Sequence, residues 1–142
     1  MEVLPKTKPV LLSTQVQLHT YWPQIEPLLA NSPIAVEFPP AEILNNALRG
    51  QMFLFAFVTE QDDVEMVMVL TATPSVTLPT VNIVTVAGKN LKQIVADHWE
   101  NFKGWCAMTG ARAIDAYVPD RLEGFVGNLG LKRETVHVRL GL

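Results

Sequence analysis

The run Met52-Phe53-Leu54-Phe55-Ala56-Phe57-Val58 is apolar at every position. A strand turns successive side chains to opposite faces, so a strand that is apolar on both faces belongs inside a sheet covered on both sides. The rest of the chain must therefore supply two covering layers. Gln51–Thr59, Glu65–Thr73 and Val76–Val86 all read as strands, the first two joined by the polar turn Glu60-Gln61-Asp62-Asp63, and together they predict an antiparallel meander. Pro74 and Pro79 mark the break before the third strand.

The covering helices are also legible. Val16, Leu18, Tyr21, Trp22, Ile25, Leu28 and Leu29 follow a helical period after a Ser13 or Thr14 cap, with Pro23 and Pro27 expected to divide the helix into two pieces. Pro39-Pro40 opens a short helix over residues 41–49, closed by Gly50. Between Asn90 and Thr109, the residues Leu91, Ile94, Val95, His98, Trp99, Phe102, Trp105 and Cys106 form one stripe of a long helix. A strand over residues 113–118 follows, then a short helix with a capping-box-like start at Asp120 and Glu123, and a last strand, Glu134–Leu140. The strands flanking the long helix should run parallel, joined by a right-handed crossover.

With 142 residues, 49% hydrophobic and 18% charged, the chain suits one α+β domain with a mixed sheet over residues 14–142. Residues 1–13 form an extended segment in which Pro5 and Pro9 exclude a helix. A frayed end is the favoured reading of that segment, ahead of an edge strand or a docking arm. A net charge of −3 argues against a broad electrostatic grip on nucleic acid. The single cysteine, Cys106, excludes an internal disulfide and a thiolate metal cage. The start MEVLPKTKPVLL lacks a signal-peptide pattern, and no run has the length to span a bilayer. These features together read as a soluble intracellular protein.

Function turns on Ile83-Val84-Thr85-Val86-Ala87-Gly88-Lys89-Asn90-Leu91, where a strand hands the chain to a helix through glycine. Such a junction aims backbone N–H groups at whatever lies above it and suits an anion. The plainer reading is a helix-start turn with a solvated lysine. His19, His98 and His137 lack metal-ligand spacing, and no metal is expected. His98 reads as a packed, hydrogen-bonded residue and Cys106 as a buried thiol. Asp62, Asp63 and Glu65 read as a turn tip, and Arg112, Arg121, Lys132, Arg133 and Arg139 as dispersed solubilising charge.

This order of elements, with GKNLKQIVADHWENFKGWCAMTGARAIDAYV, then LEGFVGNLGLKRETVHVRL, and WPQIEPLL nearer the start, resembles the GNAT N-acetyltransferase fold over residues 14–142. In particular it is similar to small divergent GNAT-like proteins encoded among the structural genes of tailed bacteriophages. The resemblance places a cofactor site at Val86, Gly88, Lys89 and Asn90. The family's loop there carries Arg or Gln, two residues, Gly, one residue, and Gly or Ala; this chain has one glycine and no matching arginine. The family's general-acid tyrosine aligns with Val126 and its asparagine with Pro119. Valine has no proton to give, which leaves Tyr117 as the catalytic candidate. Two departures imply a protein without acetyl-transfer activity and without a cofactor, acting with other phage structural proteins in the host cytoplasm and in the virion. The alternative is an acetyl-CoA-dependent N-acetyltransferase.

Overall fold

The computed structural model describes residues 5–142, apart from the side chains of Ile34 and Val36. In chain order the elements are β1 (Lys8–Leu11), α1 (Gln15–Ala30), a 3-10 turn (Pro33–Val36), α2 (Pro40–Leu48), β2 (Phe53–Val58), β3 (Val64–Thr73), β4 (Thr80–Gly88), α3 (Leu91–Met108), β5 (Ala113–Ala116), a second 3-10 turn (Asp120–Leu122) and α4 (Glu123–Asn128). The five strands form one sheet in the order β1-β2-β3-β4-β5. β1 to β4 pair antiparallel, and β5 lies parallel to β4 across the α3 crossover. The fold is the expected mixed α+β arrangement, up to its last strand.

β2 is the reason for the layering. Leu54, Ala56 and Val58 face α1 and α2, where they join Leu18, Ile25, Leu29 and Ile43 in one core. Phe55 and Phe57 face α3 and meet Trp99, Phe102 and Cys106 in the other. Phe55 stands edge-on to Trp105, with ring centres 4.8 Å apart. Full burial of one such side chain stabilises by roughly 1.5–3 kcal/mol, and a both-faces strand collects that gain on each side of the sheet.

Five expectations need correction. α1 is one helix, because Pro23 and Pro27 both sit on its exposed side while Ile25 and Leu29 are fully buried. The carbonyls that lose an N–H partner to proline therefore lie on the side that water can reach. The helix is also firmly started: the Thr14 hydroxyl accepts from the Gln17 amide at 3.1 Å, and the Gln17 side chain accepts from the Thr14 amide at 3.3 Å. Next, the N-terminal segment is not frayed over its described part. Residues 8–11 pair with residues 55–58 of β2, and Leu12 N donates to Leu54 O at 2.9 Å. An edge strand needs partners on one side only, so Pro9 is tolerated there. Thr7 adds a tie to α3, its Oγ1 lying 3.0 Å from His98 Nε2. The first four residues of the expected extended segment lie outside the described residues.

The third correction concerns β4, which starts at Thr80 and not at Val76; residues 74–79 form a loop in which Val76 and Leu78 are exposed. The fourth is the final strand. Residues 131–142 have no regular structure, and Val136, Val138 and Leu140 are exposed. The Asp120–Glu123 capping box is likewise absent, because both carboxylates accept from Arg133 instead.

Candidate functional site

β4 and β5 are paired only from Thr80↔Ala113 to Ile83↔Ala116. Beyond that point β4 runs on to Gly88 without β5 beside it. The divergence coincides with an irregularity in β4. Val69 pairs with Thr85 and Leu70 with Ile83, leaving Val84 as the extra residue of a bulge. A bulge bends its strand and resets the alternation of faces. Val81 and Ile83 belong to the α3-side core, and so does Val86, three residues after Ile83.

The wedge between the parted strands is a cleft of about 590 Å³, floored by Met68, Ile83 and Val86 and walled by the first turn of α3 and by α4. Trp99 holds the α4 wall, its indole N–H donating to Leu129 O at 2.9 Å. Lys92 on α3 lies 6.0 Å from the centre of the Phe125 ring on α4, so a cation–π contact links the two walls. Most of the lining is apolar. Among the described residues, the ionisable side chains on it are those of Lys92 and Arg121, with no carboxylate, imidazole, phenol or thiol beside them.

The residues singled out from sequence separate in space. Val86 and Asn90 line the cleft, whereas Gly88 and Lys89 do not. Lys89 N donates to Glu65 O at 2.8 Å, so this amide is spent on β3. Glu65 is itself the extra residue of a bulge, since Phe57 pairs with Met66 and Val58 with Val64. Gly88 is demanded by the same approach: its φ is +145°, and a β-carbon there would stand 2.2 Å from Glu65 O. Thus the glycine at the strand–helix junction answers to a neighbouring backbone. Asn90 takes a left-handed conformation, and its side chain makes no capping bond to α3. The amides of Leu91, Lys92 and Gln93 precede the first helical bond of α3, from Ile94 N to Asn90 O, and stand at the lip of the cleft.

Tyr117 is exposed and not part of the lining, while its neighbours Ala116 and Val118 are. Strand alternation places its ring on the face opposite theirs. Val126, aligned above with the family's tyrosine, does line the cleft. The sequence reading missed the α4 wall of Leu122, Phe125 and Leu129; their spacing is helical, but nothing in it says that the helix faces a gap in a sheet.

Elsewhere several titratable groups have structural partners. The Asp62 turn is gripped by α1: Tyr21 Oη donates to Asp62 Oδ1 at 3.2 Å and Gln24 Nε2 to Asp62 O at 3.0 Å. Burial and the Asp62 carboxylate both push the Tyr21 phenol up. Cys106 is 2% exposed, and burial pushes its thiol up to about 11. It is a packed thiol with little nucleophilic character. Among the described residues, no group of three His, Cys, Asp or Glu is placed to hold a metal, and no helix is long and apolar enough to cross a membrane.

A parallel pair that parts beside a bulge, with a helix start at the opening, defines a GNAT-like fold, and solved structures agree. The chain superposes on a Trypanosoma brucei acetyltransferase with a TM-score of 0.67 at 14% identity, covering 96% of this chain and 99% of that one. An aminoglycoside acetyltransferase from an uncultured soil metagenomic sample, in complex with sisomicin, gives 0.68 at 11% identity, with 96% and 97% covered. Glucosamine-6-phosphate N-acetyltransferase from Arabidopsis thaliana gives 0.68 at 9% identity, with 94% and 98% covered. No family profile matches the sequence, and no curated protein matches it. The likeness is one of fold.

Proposed function

We propose that this chain is a GNAT-fold protein that works by binding, without acetyl-transfer chemistry, as an internal or assembly component of a tailed bacteriophage. The observation that carries the non-catalytic reading is the chemistry of the cleft lining, whose ionisable groups are the cations Lys92 and Arg121. Acetyl transfer to an amine is accelerated by a group that removes the amine proton and a group that protonates the departing thiolate. Val126 occupies the wall where a proton donor is wanted, and the exposed Tyr117 lies off the lining. The loop chemistry supports the same reading, because Lys89 N is bonded to Glu65 O. The phage setting rests on the sequence resemblance described above.

A second reading, an acetyl-CoA-dependent N-acetyltransferase, is favoured by one feature: an open wedge with first-turn amides, Lys92 and Arg121 at its rim has the charge that a pyrophosphate requires. Calorimetric titration with acetyl-CoA and CoA separates the two. The binding reading expects no heat at ligand concentrations of about 1 mM. Affinity in the micromolar range, abolished by Val126→Trp in the cleft wall, would establish a cofactor site and overturn it. Negative-stain microscopy of the protein mixed with phage head and tail components tests the setting. Incorporation into a particle is expected, and a protein that joins none refutes the assembly role.

A further inference from the structure

We infer that the loop joining β3 to β4, residues 74–79, dips into the surface of an anionic lipid bilayer and holds the protein there reversibly. The inference starts from side chains that the fold leaves uncovered. Val76 and Leu78 on the loop, Phe53 at the start of β2 and Met108 at the end of α3 are all exposed. Topology brings the four to one end of the molecule. Thr73 pairs with Thr80 at the foot of the loop, and Phe53 pairs with Leu70 close to the end of β3. α3 leaves from the far end of β4 and returns the chain to Ala113, which pairs with Thr80, so Met108 lies at this end too. Apolar side chains gathered in solvent in this way mark an interaction surface.

The loop backbone is arranged for surroundings that hydrate it poorly. Pro74 and Pro79 have no N–H to satisfy. Ser75 Oγ accepts from the Thr77 amide at 3.3 Å and from the Leu78 amide at 3.1 Å. Leu78 O accepts from Thr80 Oγ1 at 3.0 Å, and Pro79 O from the Arg112 amide at 2.8 Å. Each polar group bonded within the protein lowers the cost of entering an apolar layer. Charge is absent as well: between Glu65 and Lys89 the chain carries no ionisable side chain, so the tip leaves water without taking a charge with it.

The charges around the tip select the partner. Arg112 is fixed beside the loop by its amide bond to Pro79 O, and Arg49 ends α2 just before β2 at the same end. Both are exposed, and neither is in an ion pair among the described residues. Lys103 is paired with Glu100, and Asp115 stands further up the sheet, level with Asn82. In a chain of net charge −3, this end is locally positive. A second copy docked tip to tip would bring like charges together. An anionic bilayer instead offers an apolar layer beneath a negative surface, which suits an apolar tip flanked by arginines. The cleft lies toward the other end of β4, so the contact leaves it free.

The test is co-sedimentation of the full chain with sucrose-loaded vesicles of phosphatidylglycerol and phosphatidylcholine in equal parts, at lipid concentrations on the order of millimolar. The protein should pellet with these vesicles and not with pure phosphatidylcholine, and salt raised to about 0.5 M should lower the bound fraction. Val76→Ser with Leu78→Ser should reduce the bound-to-free ratio by about tenfold or more, and Arg112→Gln by about fivefold. The thermal midpoint of the double serine variant should be unchanged, because neither side chain belongs to a core cluster. Val76→Trp gives a second readout: its added emission should shift to the blue when the anionic vesicles are mixed in. Failure to pellet overturns the inference, as does pelleting that survives the double serine substitution. A blue shift that grows with protein concentration before lipid is added would overturn it by showing that the tip docks on a second copy. A shift produced by polyglutamate and not by vesicles would overturn it in favour of an acidic protein.

Discussion

Gly88→Ala separates a glycine kept for its neighbour's backbone from one kept for a ligand. A β-carbon at Gly88 would lie 2.2 Å from Glu65 O and 2.6 Å from Met66 Cα. Ordinary contact begins near 3.4 Å, so β3 and β4 must separate by about an ångström at the Met66↔Gly88 pair. The shift would stretch the 2.8 Å bond from Lys89 N to Glu65 O, which is worth about 0.5–1.5 kcal/mol. Holding alanine at a φ of +145° adds roughly 1–3 kcal/mol of backbone strain. The expected loss is about 2–4 kcal/mol, a large share of a domain's stability. Urea unfolding monitored by circular dichroism should show the midpoint falling by roughly 1–2 M for a typical slope. Gly104→Ala is the internal control: it lies exposed inside α3, with nothing within 4 Å of the added carbon, and should stabilise by about 0.5–1 kcal/mol. A Gly88→Ala protein within about 0.5 kcal/mol of the parent would refute the packing account and return this glycine to the list of ligand-binding candidates.

Other perturbations test separate joints of the molecule. Trp99→Phe removes the donor to Leu129 O and should cost about 1–3 kcal/mol; hydrogen exchange should quicken in α4 and leave the β2–β3 pairing unchanged, and uniform loss of protection would contradict a local role. Phe57→Ala empties a 2%-exposed core site and should cost about 3–5 kcal/mol by chemical unfolding; a loss below about 1 kcal/mol would mean that the α3-side core collapses around the gap. Cys106 has its thiol raised from 9.0 to about 11, so the native state holds this proton to higher pH than the unfolded chain does. Its contribution to stability is fully present below pH 9.0 and is lost as pH rises toward about 11. A Cys106→Ala protein should not show that part of the alkaline slope, and a disulfide exchange reagent should react at neutral pH only after unfolding. Rapid reaction of the native protein would show an accessible thiolate.

The residues themselves determined the layered α+β fold. MFLFAFV has no polar face to give to water, the α3 stripe repeats at helical steps, and a strand–helix–strand order restricts β5 to a parallel crossover. Sequence also located the strand–helix junction, since glycine between an apolar strand and a periodic helix leaves little else to form there. Tertiary structure decided what that junction is for. That Gly88 meets Glu65, that Lys89 N is taken by a bulged carbonyl and that β4 bulges at Val84 where its pairing with β5 ends all depend on strand register, which has no local signature. The same holds for α1 and for the tail. Two prolines read as breakers until their carbonyl partners are found on a wet face, and residues 134–140 read as a strand although they join no strand of the sheet among the described residues. Local propensity is written in neighbouring residues; whether a backbone group finds its partner depends on residues far away in the chain.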